Sequence, residues 1–165
     1  MGCEQHRKYM LTIQHPAERG LGHETIRDIL ASLNAAYWCM ADEVATTGTP
    51  HTHVFIFRKG AIRVDTIRRK FPGCHFDSCQ GTCAEARTYI RKEGKWAESE
   101  KAETAVPGTF EEGGTMPTER EEGGIRDADL IEAIEAGLST AEIIRSSPKY
   151  VFRSADIDLL RQTLI

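Results

Sequence analysis

The sequence predicts an α+β fold, an antiparallel sheet with flanking helices followed by a small helical C-terminal region. Three observations carry this. Short apolar runs with strand character alternate with segments of helical period through residues 1–96, a Gly-, Pro- and Glu-containing stretch interrupts them, and helical patterning then resumes.

The elements follow in order. Tyr9-Met10-Leu11-Thr12-Ile13-Gln14 is an apolar and β-branched run stopped by Pro16, which predicts a strand ending in a loop. From His23 to Leu33, Ile26, Ile29, Leu30 and Leu33 recur at steps of three and four, the period of an amphipathic helix. Tyr37 to Glu43 and His51 to Arg58 predict two strands joined as a hairpin through the turn-rich Thr46-Thr47-Gly48-Thr49-Pro50. A second helix is expected over Asp65 to Lys70, broken by Pro72-Gly73, then a strand over His75 to Ser78 and a third helix from about Ala84 to Trp96. The order β-α-β-β-α-β-α is that of ferredoxin-like and RNA-recognition folds.

Residues 97–124 read as an acidic linker, because Pro107, Gly113-Gly114, Pro117, Gly123-Gly124 and the intervening glutamates bury too little apolar surface to offset ordering entropy. Residues 125–165 then read as a helical region. Leu130, Ile131, Ile134 and Leu138 are spaced for an apolar face, Gly137 suits a helix stop, and Ser139 with Glu142 forms the S-x-x-E capping box of a second helix. Pro148 closes that helix, and Ser154-Ala155-Asp156 opens a third ending near Leu164.

At 165 residues, with 40% hydrophobic and 28% charged, the chain has room for one compact domain and a small satellite. No apolar run approaches the roughly 20 residues needed to cross a bilayer, and the N-terminus lacks the apolar core of a secretory signal. No membrane association and an intracellular location are therefore expected, and the five cysteines are expected to be reduced thiols. The net charge of −4 hides two unlike parts. Residues 1–96 carry 14 Lys and Arg against 10 Asp and Glu, leaving 7 against 15 of the chain's 21 and 25 for the rest. A mildly basic first part suits a polyanionic ligand. No G-x-x-x-x-G-K-[ST] sequence is present, so ATP hydrolysis is not expected.

Three groups of residues could carry chemistry. His51-Thr52-His53 opens a strand, where residues i and i+2 share a face, so both imidazoles can meet one ion. Hairpin pairing would bring Glu43 to the same face, and one carboxylate with two imidazoles suits Mn²⁺ or Mg²⁺, though zinc also accepts it. The same H-x-H also suits surface or packing histidines. Tyr89 and Lys92 lie three apart in the third helix, placing a phenol beside a cation; a tyrosine hydroxyl needs such help to act as a nucleophile. A half-buried aromatic beside a solvated lysine is the plainer reading of that pair. Cys74, His75, Cys79 and Cys83 lack paired C-x-x-C knuckles and read better as small core residues than as a zinc site.

In combination these patterns resemble the Rep initiators of rolling-circle replication, members of the HUH endonucleases, as found in small circular single-stranded DNA viruses and related plasmids. Leu11-Thr12-Ile13-Gln14-His15-Pro16 is similar to the first motif of that family, Thr49-Pro50-His51-Thr52-His53-Val54 to the second, and Tyr89-Ile90-Arg91-Lys92-Glu93-Gly94 to the third, Y-x-x-K-[DE]-G. The resemblance covers residues 6–96 and implies an HUH endonuclease domain over residues 1–96. It implies that Glu43, His51 and His53 hold a divalent metal, Mn²⁺ or Mg²⁺, that Tyr89 attacks a DNA phosphate, and that Lys92 assists. Thr12, Gln14 and His15 would contact single-stranded or stem-loop origin DNA; Gln14-His15 stands where many relatives have two Asn, so base preference can differ. The expected function is nicking and rejoining of origin DNA through a 5′-phosphotyrosine, in a host nucleus for a eukaryotic virus and in the cytoplasm for a bacterial plasmid. Residues 125–165 resemble a connecting segment for homo-oligomerisation, and a helicase domain or a host helicase is expected as partner but has no counterpart in this sequence. The alternative is a metal-independent single-stranded nucleic-acid-binding module using Phe55 and Phe57 as stacking platforms.

Overall fold

Alternation within three long strands, β1 (Gln5–Gln14), β2 (Tyr37–Val44) and β3 (Pro50–Arg63), builds a sheet with two buried faces. The computed structural model describes residues 4–97, 104–118, 121 and 129–164. Between these strands lie α1 (His23–Ser32), α2 (Val64–Lys70), β4 (His75–Ser78) and α3 (Cys83–Arg91). A fifth strand, β5 (Glu111–Gly114), completes the order β4-β1-β3-β2-β5 with every neighbouring pair antiparallel. The chain divides into two compact units, residues 1–116 and 117–165.

One face carries Tyr9, Leu11, Ile13, Met40, Val54 and Ile56, packed on Ile26 and Leu30 of α1 and Ile67 of α2. The other carries Tyr37, Cys39, Ala41, Phe55 and Phe57 against Cys83, Ala86 and Ile90 of α3. Full burial of each large apolar side chain contributes about 1.5–3 kcal/mol. Phe55 and Phe57 are fully buried beneath α3, so neither offers a ring to a nucleobase. The four described cysteines are free thiols, and Cys83 and Cys39 are core residues.

Two differences from the sequence reading bear on the site. The first lies inside the segment read as a linker, where Glu111–Gly114 pairs with Tyr37–Met40 as an edge strand. Its glycines are packing positions: a Cβ on Gly113 would come within 2.5 Å of the Trp38 ring, and one on Gly114, at φ 78°, within 2.1 Å of the Ala36 carbonyl oxygen. Its glutamates are paired rather than solvated. Glu112 accepts from the Tyr37 hydroxyl (2.7 Å) and from two nitrogens of Arg87 (2.7 and 3.1 Å), while Glu111 meets His23 and Arg27. Residues 98–103, 119–120 and 122–128, including Gly123-Gly124 and Asp127, lie outside the described residues.

The second difference is the end of α3, expected near Trp96 and found at Arg91. Lys92 caps the helix in the left-handed region (φ 55°, ψ 42°), with its N–H directed to Tyr89 and that of Glu93 to Thr88. This position is usually glycine, because a side chain there costs about 1–2 kcal/mol. A 3₁₀ turn, Gly94–Trp96, follows. At the other end Thr82 caps α3 by accepting from the Glu85 N–H at 3.1 Å.

His23 yields a pH prediction. Its Nε2 lies 2.8 Å from Asp42 and its Nδ1 bonds Glu111, tying α1 to β2 and β5. Burial alone would lower its pKa, but the two carboxylates outweigh that and raise it. With the folded pKa above the unfolded value of about 6.5, the contribution is complete below 6.5 and is lost as pH rises through the folded value. His23→Gln is therefore expected to lower urea stability by about 1–2 kcal/mol at pH 6, discounted for partial exposure, and by less at pH 9. Equal losses at both pH values would contradict this origin.

In the second unit, helices Leu130–Glu135, Thr140–Ser146 and Ser154–Leu164, with a 3₁₀ segment Pro148–Arg153, enclose Leu130, Ala133, Ile134, Ile143, Tyr150 and Ile157. The capping box forms, with Ser139 and Glu142 exchanging hydrogen bonds at 2.7 and 3.2 Å, and Gly137 ends the first helix at φ 90°. Ile131 is exposed, and Ala133 fills the place on the apolar face expected for it. Among the described residues no helix is long and apolar enough to cross a membrane.

Candidate metal and nucleophile site

The hairpin register sets Glu43 of β2 directly opposite His51 of β3, with Ala41 opposite His53. Directly opposed residues place their Cβ atoms about 4.5–5.5 Å apart, so Glu43 and the H-x-H pair share one end of one face. That face is covered by α3. His53 Nε2 is 2.7 Å and His51 Nε2 3.8 Å from Glu43 Oε2. One ligand atom from each of the three residues lies within 4.8 Å of the others, the one such grouping of three or more among the described residues. The Cys74, His75, Cys79 and Cys83 set forms no comparable cluster among them.

The donor chemistry fits a cation. His51 Nδ1 faces the Thr49 carbonyl at 3.5 Å and His53 Nδ1 the Thr12 hydroxyl at 3.2 Å. These contacts leave both Nε2 atoms turned towards Glu43, and a proton on Nδ1 leaves Nε2 a lone pair to offer. Glu43 Oε2 is buried and receives no aligned hydrogen bond. A carboxylate oxygen facing two imidazole nitrogens in that state suits a shared positive charge. Burial alone would raise the Glu43 pKa, but the His53 contact, the Lys92 charge and the Thr104 hydroxyl outweigh it and hold the carboxyl at about 2. Burial and the neighbouring His53 push His51 down, which favours its neutral, ligating form.

Tyr89 and Lys92 arrive from α3 and its cap. The Tyr89 ring lies edge-on to His53 (5.7 Å between centroids) and to Trp96 (5.1 Å). Lys92 is only 6% exposed; its Nζ sits 3.8 Å from the centre of the Tyr89 ring and 3.1 Å from Glu43 Oε1. The left-handed cap, rather than i,i+3 helix spacing, brings this side chain inward. An open cleft of about 590 Å³ adjoins Tyr89, lined by Met10, Cys79, Ala86, Thr88, Lys95 and Trp96 among others.

The three residues expected at DNA separate. Thr12 lies opposite His53 in the sheet and hydrogen-bonds its ring, so in this structure it orients that histidine. Gln14 is exposed at the end of β1, opposite His51. His15 follows at φ 50°, exposed, its N–H bonded to the Pro50 carbonyl. Gln14 and His15 thus sit at the strand ends beside the Glu43 cluster.

The family described as "Putative viral replication protein" matches residues 6–93, a span holding the histidine pair, Glu43, Tyr89 and Lys92. The chain belongs to this viral replication protein family. Among curated proteins, "Para-Rep C2" of the Subterranean clover stunt C2 alphasatellite is 30% identical to this chain over 88 residues. Those residues are 53% of this chain but 31% of that protein, so the chain matches about a third of its relative's length.

Two side chains at the site lie outside the span that the replication protein family matches, and the sequence reading missed both. Trp96 packs on Tyr89 from the 3₁₀ turn. Thr104 donates to Glu43 Oε1 at 2.9 Å. Neither carries a motif; only Trp96, an aromatic four residues beyond a Y-x-x-K, offered a sequence hint.

Proposed function

We propose that this replication protein nicks and rejoins single-stranded origin DNA through a 5′-phosphotyrosine, in rolling-circle replication. The observation that carries the reading is the meeting of Tyr89, Lys92 and the Glu43-His51-His53 group at one end of one sheet face. A divalent ion, Mn²⁺ or Mg²⁺, held by Glu43, His51 and His53 would neutralise charge at the scissile phosphate.

Tyr89 Oη attacks phosphorus, its proton passing to solvent; the P–O3′ bond breaks, and the departing oxygen takes up a proton as a free 3′-OH that can prime synthesis. Reversal by an incoming 3′-OH restores the phosphodiester and the phenol. The Lys92 ammonium, held over the Tyr89 ring and 3.1 Å from Glu43 Oε1, adds positive charge beside the reacting phosphate. Gln14 and His15 border the path of the strand, and the cleft against Trp96 has room for an unstacked base. Residues 1–96 supply this chemistry, residues 125–165 the surface for self-association, and a helicase the strand separation that neither performs, all inside the host cell.

The metal-independent binding module is less well supported, since burial of Phe55 and Phe57 removes its stacking platform. The test is incubation of the full chain with Mn²⁺ and a pool of stem-loop oligonucleotides with randomised loops. An SDS-resistant protein–DNA conjugate that EDTA prevents is the expected result; DNA retention without any conjugate would favour the binding module.

A further inference from the structure

The segment beyond the family match reaches back to the Glu43 group. After residues 98–103, Ala105 forms an antiparallel bridge with Glu43, the Val106 N–H bonds the Asp42 carbonyl at 3.0 Å, and the Asp42 N–H bonds the Thr109 hydroxyl at 3.0 Å. The chain then continues into β5 along the β2 edge. This strap is secured from both faces of the sheet. Arg87 of α3 grips Glu112, holding its carboxyl down at about 2, while His23 and Arg27 of α1 grip Glu111. Gly113 and Gly114 allow β5 to lie flat against Trp38 and Ala36.

The strap delivers Thr104, whose hydroxyl donates to Glu43 Oε1 at 2.9 Å. The terminal torsion of a glutamate is broad and roughly two-fold, so a strand position alone does not fix which oxygen faces the histidines. Thr104 and the Lys92 ammonium both address Oε1, one by a hydrogen bond and the other by charge at 3.1 Å, which leaves Oε2 turned to His53 and His51. Outer partners of this kind orient a ligating carboxylate.

We propose that Thr104 is a positioning residue for the metal site, holding Glu43 in its ligating orientation from a strap outside the 6–93 family span. The strap is thereby part of the nuclease unit rather than a tether. This inference rests on the metal reading of Glu43, His51 and His53. The Ala105 bridge, the Val106 N–H bond and the Thr109 hydroxyl bond also hold the strap to β2.

The test is direct Mn²⁺ binding by the full chain, measured by electron paramagnetic resonance for the parent, Thr104→Val and Thr104→Ser, alongside thermal unfolding without metal. Thr104→Val, equal in shape but lacking the donor, is expected to raise the Mn²⁺ Kd about tenfold and to lower the metal-free Tm modestly, since a buried carboxylate loses one hydrogen bond, while the chain stays folded at the assay temperature. Thr104→Ser, which keeps the hydroxyl, is expected to return the Kd to within about threefold of the parent. Equal Mn²⁺ affinity in parent and Thr104→Val overturns the inference, as does a Kd raised equally by Ser and Val. Failure of the parent chain to bind Mn²⁺ overturns instead the metal reading beneath it.

Discussion

Tyr89→Phe is expected to leave DNA binding within about twofold of the parent and to abolish the covalent conjugate, a loss of at least about 10⁴-fold in nicking. The substitution removes one oxygen and keeps the ring, which is what packs against His53 and Trp96 and lies beneath Lys92. Fold and strand path should therefore survive, so a lost conjugate reports chemistry rather than collapse. Binding by filter retention and conjugate formation on a denaturing gel, read from the same reaction, separate the two. An SDS-stable conjugate in undiminished yield would assign the nucleophile to another residue.

The sheet was readable because its strands announce themselves by β-branched and aromatic runs, and because Pro16, Gly48 and Pro72-Gly73 punctuate them. β5 was not. Glu111-Glu112-Gly113-Gly114 has neither apolar alternation nor β propensity, and what holds it is tertiary: carboxylates anchored on α1 and α3, and glycines that fit where a Cβ would strike Trp38 and Ala36. Composition alone cannot distinguish such a strand from a solvated acidic linker, because the partners of its charges lie 25 to 88 residues away in the chain.

The site divides similarly. His51, His53 and Glu43 could be placed together from strand period and hairpin register, both local properties, and the structure sets them on one face. Tyr89 and Lys92 could be paired by their spacing, but the left-handed cap that turns Lys92 inward could not be read from a lysine, a residue with no intrinsic preference for positive φ. Thr12 could be noticed only through its motif, and its contact with the His53 ring emerged from the β1–β3 register, a pairing across 41 residues. Thr104 left no trace in sequence. Its relation to Glu43 spans 61 residues and depends on the strap that composition disguises.

His51→Ala is expected to remove Mn²⁺-dependent stabilisation and to slow nicking by about 10²- to 10³-fold, the several kcal/mol that charge neutralisation by a metal supplies. Of the three proposed ligands, His51 is the one whose removal should disturb the metal-free protein least. Glu43 keeps its close contacts with His53 at 2.7 Å and Lys92 at 3.1 Å, whereas the His51 nitrogen stands 3.8 Å away. Losing Lys92 or His53 would instead deprive a buried carboxylate of a close partner, at a cost of up to about 3–5 kcal/mol, and would confuse metal loss with unfolding. In the parent, Mn²⁺ at a hundred times its Kd should add about 2.7 kcal/mol to stability and raise Tm accordingly. In His51→Ala the same concentration should leave Tm unmoved while the metal-free Tm stays close to that of the parent. An undiminished Mn²⁺-induced rise in Tm would remove His51 from the ligand set, and an undiminished nicking rate would remove the metal from the reaction.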